Sequence, residues 1–314
     1  MIVWLIAAAV ALVPLLAGGR AAERLAGAGW THRCPRAALV MWQAIGLAGG
    51  MGAIGIGLVA AVAPLAAVFP HGAHTLIRQI LDGRGLEGLG GAHIGALAWS
   101  AGLIGWLSLH TVRAAVRTLR AQRRQRLLVD VVADPSLLPD AYVLPDAQPV
   151  AYCIPGRRAR VVLSTGTLDL LDGEEVEAVL GHERAHAAGR HDLLLLPFLA
   201  LAQAFPGLPA ATTARQVVPV LLEMLADDRA RRVHGELPLA RALVRMAAPK
   251  AGPAAAGTLA LADTAVVDRV ERLLRGHPQP GWMSAAAYCA AGLLLSGPVA
   301  VLVAPVLCIT VWRM

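Results

Sequence analysis

The chain has 314 residues, 57% of them hydrophobic and only 16% charged, with a formal net charge of +7 and a mean hydropathy of +0.59. Soluble domains carry charge on about a quarter of their residues, so this balance excludes a purely water-soluble fold, and the same apolar content excludes a disordered chain. Four scattered cysteines (Cys34, Cys153, Cys289 and Cys308) exclude a disulfide scaffold and show no metal-binding spacing.

A bilayer core of about 30 Å needs about 20 apolar residues in a helix. Four stretches meet this in chain order: Ile2–Ala17, a Gly-rich run within Leu39–Phe69 broken near Pro64, Ala92–Val112, and Ala285–Val311 with Pro298 and Pro305 inside it. No basic residue precedes the first run and four arginines follow it (Arg20, Arg24, Arg33, Arg36), the reverse of a secretory leader, so it reads as an uncleaved span. Six more arginines and no acid lie between residues 113 and 126, whereas 70–91 holds two of each. Positive charge beside spans marks the cytoplasmic side. The topology that follows puts both termini and 70–91 outside, with 1–112 as three spans, 113–283 as a cytoplasmic domain and 284–314 as the fourth span. The arginines are thus topology signals, and no direct nucleic-acid binding is expected.

Within 113–283 the chain turns at Asp134-Pro135 and Leu138-Pro139-Asp140. Three short runs with β character follow, Ala141–Leu144, Val150–Ile154 and Ala159–Ser164, separated by Pro145-Asp146 and Pro155-Gly156. They predict a small antiparallel sheet in which Cys153 is a plain buried thiol. Asp172 and Glu175 have the spacing of a capping box, which predicts a helix over Gly173 to about Ala188. Further helices are expected over Leu193–Phe205 and Val217 to about Val233. The Ala-, Gly- and Pro-rich stretch 249–264 reads as a loose connection, and no internal repeat is visible.

The first of those helices carries His182-Glu183-Arg184-Ala185-His186, an HExxH pattern. Residues four apart lie on one helix face, so His182 and His186 can offer imidazole nitrogens to one zinc ion. Glu183, one residue round, stands beside the metal as a general base. The bland alternative is a chance pairing on an exposed helix face. A catalytic zinc takes a third protein ligand and an open position. The candidates are His191, Asp192 (at the place where a metzincin HExxHxxGxxH pattern has its last histidine) and Glu223, which is ranked first. Glu223 and Asp227 are four apart in Glu223-Met224-Leu225-Ala226-Asp227, so one can bind metal while the other orients a ligand.

In order, then, the chain has three spans, an arginine-rich helix, strands ending at Val161-Val162-Leu163-Ser164-Thr165-Gly166, HERAH with Asp192 downstream, Glu223–Asp228 and a last span. It resembles the integral-membrane metallopeptidases of the BlaR/MecR type, antirepressor sensor-transducers of the β-lactam response. The resemblance implies an α-helical membrane protein with an α+β, gluzincin-like cytoplasmic metallopeptidase domain. It implies Zn2+ held by His182, His186 and Glu223, with Glu183 as base and Asp227 and Asp192 as supports behind the ligands. It also implies a winged-helix repressor of the BlaI/MecI kind as cytoplasmic substrate, with a homodimer as a further expectation. The sequence departs from that type in lacking a penicillin-binding motif: its only lysine is Lys250, with Ala247 three residues before it, so no SxxK exists. Direct covalent sensing of a β-lactam is not expected. The other readings are a membrane-protein quality-control protease of the HtpX type and a non-catalytic membrane transducer.

Overall fold

The computed structural model describes residues 2–67, 69–138, 141–156, 158–247, 256–275 and 281–311. Its elements, in order, begin with α1 (Ile2–Ala26), α2 (Trp30–Arg33), α3 (Pro35–Val62), a single 3-10 turn (Ala63–Leu65), α4 (Phe69–Leu81) and α5 (Gly91–Val132). Four strands follow, β1 (Asp134–Leu138), β2 (Ala141–Leu144), β3 (Ala151–Ile154) and β4 (Arg160–Ser164). The chain then runs through α6 (Thr165–Leu170), α7 (Gly173–Gly189), α8 (His191–Ala204), α9 (Pro209–His234), α10 (Glu236–Ala247), α11 (Ala256–Arg275) and α12 (Gly281–Val311).

Among the described residues α1, α3, α5 and α12 are long and apolar enough to cross a membrane. α3 is the inner helix of the four, with α1, α5 and α12 packed around it. Its buried face is built from small residues, among them Ala44, Ala48, Gly52, Gly55 and Gly57, which let neighbouring backbones approach. On the α5 side Trp99 Nε1 donates to Ala53 O at 3.1 Å and Ser100 Oγ donates to Ile54 O at 2.9 Å. At one end of the spans one apolar core joins Leu25 of α1, Trp42 of α3 and Phe198 of α8 to Val218, Leu221 and Met224 of α9. The peptidase-like half is therefore seated directly on the ends of the spanning helices.

Four features add to or differ from the sequence-based expectation. The third span and the arginine-rich helix are one continuous helix, α5, which carries the chain from the span into the domain without a break. Residues 70–91 hold a helix, α4, packed on α12. The sheet is mixed, with strand order β1-β2-β4-β3. β4 pairs parallel with β2 and antiparallel with β3, and β1 replaces the expected turn at Asp134-Pro135. The reason lies in β4, whose Val161, Val162 and Leu163 are all buried, the pattern of a strand covered on both faces and flanked on both edges. Finally, of the stretch read as a loose connection, 256–264 is the first part of α11. Alanine is the strongest helix former and overrides the Gly/Pro character there. Pro139, Asp140 and Lys250 lie outside the described residues.

A close approach of α5 to α3 gives a test. A Cβ at Gly57 would run into Ser100 Oγ, Trp99 Cδ1 at 2.8 Å and Ala96 O at 3.0 Å. Gly57→Leu is expected to push α5 off α3 and destabilise the chain by about 1–3 kcal/mol, the usual cost of overpacking, seen as a lower thermal midpoint in detergent. Gly18→Leu, where a Cβ meets nothing within 4 Å, should leave the midpoint in place.

Candidate metal centre

α7 begins with the capping box expected of it: Glu175 N–H donates to Asp172 Oδ1 at 3.0 Å, and Asp172 N–H donates to Glu175 Oε2 at 3.1 Å. Glu175 is buried, and Arg245 of α10 compensates it with Nη1 at 2.8 Å. One buried face of α7, with Val176, Val179 and Leu180, lies on the sheet. This fixes the rotation of the helix and sends His182 and His186 toward α9.

There the two imidazole Nε2 atoms stand 3.1 Å apart. Glu223 Oε2 is 3.2 Å from His182 Nε2, and Glu223 Oε1 is 3.3 Å from His186 Nε2. Three donors each bonded to one tetrahedral zinc ion at 2.0–2.1 Å stand about 3.3 Å from one another. Each nitrogen thus faces a different oxygen of the Glu223 carboxylate at about the separation that such an ion requires, and His182, His186 and Glu223 form a group able to hold one, with one donor atom from each all within 4.8 Å.

Each histidine is engaged from behind. His182 Nδ1 lies 3.0 Å from Asp227 Oδ1. Asp227 is fully buried and receives two hydrogen bonds of 2.7 Å from Arg269 of α11, whose Nη1 also lies 3.2 Å from Glu223 Oε2. Burial pushes the Asp227 carboxyl upward, but the Arg269 and His182 contacts outweigh it and hold the group below its usual range. Behind His186 the partner is His191, with the two Nδ1 atoms 2.8 Å apart. Burial, aided by the neighbouring His186, pulls His191 down to about 4, so it is a neutral imidazole with a lone pair to offer. Its ring folds back over α7 because position 189 is glycine: a Cβ there would collide with His191 Nε2 and lie 2.6 Å from Cδ2.

Asp192 is placed apart from this group. The chain leaves α7 through Arg190 in a left-handed conformation (φ 49°, ψ 46°). The corner returns His191 to His186 and turns Asp192 toward α5, where it accepts from Gln122 Nε2 at 3.2 Å. Behind His186 the structure thus shows His191, while Asp192, expected as a support, faces Gln122. Glu183 is partly buried and makes no hydrogen bond or ion pair among the described residues. Burial raises its pKa, while the charges of His182 and His186 oppose that rise. Cys153 on β3 is raised to about 12 by burial and then by the charges of Glu183 and Asp192, so it is an inert thiol beside the site.

Sequence reasoning had no sight of Arg269 or of Arg272, which binds Asp228 at 2.7 Å. They lie more than 40 residues from their acids, and no local pattern announces them.

The family model of Peptidase family M48 matches residues 118–282. The match covers more than half of the chain, which belongs to this metallopeptidase family. No curated protein and no solved structure matches the chain. The match carries the peptidase family and not the antirepressor type, and the four long apolar helices add a multi-pass membrane character.

In the metal-free protein, burial pulls the His182 pKa down, but the hydrogen bonds to Asp227 and Glu223 prevail and raise it from 6.5 to about 9. A metal takes only the neutral ring, so uptake must displace that proton. Zinc affinity measured against a chelator is expected to rise about tenfold per pH unit below about pH 9 and to level off above it. A flat profile over pH 7–9 would contradict the raised value.

Proposed function

We propose that this member of peptidase family M48 is a membrane-anchored zinc endopeptidase that cuts polypeptides at the cytoplasmic face of the bilayer, with His182, His186 and Glu223 as ligands and Glu183 as general base. The observation that carries the reading is the His182–His186–Glu223 group, its two nitrogens 3.1 Å apart and each facing one Glu223 oxygen at 3.2 or 3.3 Å, on a domain packed against spanning helices. Bound zinc would polarise the scissile carbonyl and acidify a water molecule. Glu183, beside the two histidines, would accept a proton from the attacking water and deliver it to the leaving amine. Its raised pKa suits both transfers, and no competing hydrogen bond ties up its carboxylate. Asp227 and His191 hold the ligand rings in place. A polypeptide substrate is supported by β3, the last strand of the sheet, which packs beside α7 with one edge unpaired among the described strands. Such an edge accepts an extended chain as an added strand.

The motif order favours a winged-helix repressor as the substrate. Membership of M48 is equally compatible with a quality-control role on membrane proteins. Co-expression of the chain with a neighbouring repressor gene product, and separately with a misfolded membrane protein, distinguishes the two by which one is cut.

Glu183→Gln is expected to keep its zinc and its place in the membrane while losing about two to four orders of magnitude in cleavage rate, the usual share of a general base. Glu223→Ala should empty the site, as metal analysis of the purified protein would show, and Asp192→Ala should leave it filled. Wild-type cleavage with zinc-loaded Glu183→Gln would assign the cutting to a contaminating protease and leave the transducer reading as the better one.

The orientation rests on the two arginine clusters. In a cysteine-free background, Gln125→Cys is expected to resist an impermeant thiol reagent applied to intact cells and to react after permeabilisation. Labelling from outside would place the site on the other face.

A further inference from the structure

A cavity of about 640 Å³ lies between α3 and α9, floored by the α7–α8 corner. Arg36 enters it from the first turn of α3, and Arg229 and Arg232 enter it from α9. None of these three guanidinium groups has an ion pair or hydrogen bond among the described residues. The one acid in the wall, Asp228, is already held by Arg272 at 2.7 Å and Arg231 at 3.2 Å. By contrast, the arginines around the metal group and the cap of α7, Arg269, Arg272, Arg231 and Arg245, are all matched to carboxylates. Gln43 and His191 are the other polar residues of the wall, and its apolar part is built by Leu39 and Val40 from α3, Leu194 from α8 and Leu225 from α9.

The position of the cavity decides what fills it. The span candidate containing α3 runs over 31 residues, Pro35–Leu65. At 1.5 Å per residue it is about 46 Å long, well beyond a hydrocarbon core of about 30 Å. Its first turn, with Arg36, therefore reaches the depth of the lipid headgroups, and Leu39 and Val40 follow toward the acyl region. Three unmatched cations over an apolar wall at that depth complement an amphiphile with an anionic phosphate head and a hydrocarbon tail.

We propose that this cavity is a binding site for an anionic phospholipid of the surrounding bilayer, with its phosphate held by Arg36, Arg229 and Arg232 and the start of one acyl chain laid on Leu39, Val40, Leu194 and Leu225. The site depends on the membrane placement of α3 and not on the metal chemistry. Its wall includes His191 and α9, so a bound lipid braces the two elements that meet at His186 and Glu223.

The test uses the full chain in nanodiscs of phosphatidylcholine doped with phosphatidylglycerol, reading the enrichment of phosphatidylglycerol on the protein by native mass spectrometry after detergent transfer. The triple change Arg36→Gln, Arg229→Gln, Arg232→Gln is expected to lower the affinity for the anionic lipid about a hundredfold, roughly fivefold for each guanidinium near the surface. A matched triple on α5, Arg113→Gln, Arg120→Gln, Arg123→Gln, removes the same charge and should retain the lipid. Val40→Trp, which keeps every charge and fills the apolar wall, should also lose it. Equal loss in both triples, or equal retention of phosphatidylcholine, would reduce the effect to general surface charge and overturn the site. If millimolar inorganic phosphate displaces the lipid completely and Val40→Trp has no effect, the cavity takes a free anion and the lipid assignment fails. Capture of an acidic soluble peptide in preference to the lipid would overturn it as well.

Discussion

The centre of the molecule depends on one carboxylate. Asp227 is sealed from water and stands between three helices, with Arg269 of α11 on one side, His182 of α7 on the other and its own α9 behind. An ionised group without solvent is tolerable only when matched, and removing one partner of such a pair costs far more than the pair contributes. The geometry of the site is therefore bound to the docking of α11. If α11 shifts, Asp227 loses its two short hydrogen bonds, His182 loses the group beside its Nδ1, and Glu223 loses the cation next to Oε2. Arg272 repeats the arrangement one turn further on: it binds Asp228 and donates through Nε to His32 O at 2.6 Å, tying the same helix to the short turn between the first two spans.

What could be read from the sequence was what lies close in sequence. His182, Glu183 and His186 fall within five residues, and their capping box opens the same helix, so their shared face follows from helical spacing alone. Glu223 and Asp227 were legible for the same reason, as two residues one turn apart. Arg269 was not, because its partner is 42 residues away and the stretch leading to it looks like a linker. The mixed order of the sheet was hidden too. The strands themselves could be found, but pairing β2 with β4 instead of β3 depends on β4 being buried on both sides, which is a property of the packed domain.

The glycine at position 189 shows how one residue can suit two spacings. In the metzincin pattern it would precede a third ligand by three positions, which drew attention to Asp192. Here the same absence of a side chain makes room for the ring of His191, and the left-handed Arg190 carries Asp192 away. The count along the chain was right and the direction of the backbone was not, since a single residue in the left-handed region reverses which neighbour faces the site.

The continuity of α5 gives the protein a mechanical character. Its 42 residues make a rod about 63 Å long, roughly twice the thickness of a hydrocarbon core. The far end is fastened to the sheet: Arg126 donates to Pro155 O at 2.6 Å, Asp130 pairs with Arg160, and Val129 is buried against Ile154 and Val162. A rod clamped in the bilayer at one end and in a sheet at the other is a lever. When membrane thickness changes, long helices answer by tilting, and a tilt of about ten degrees carries an end some 30 Å outside the core through about 5 Å. The strand beside Glu183 would travel with it, so the thickness of the lipid sheet becomes a distance at the catalytic helix.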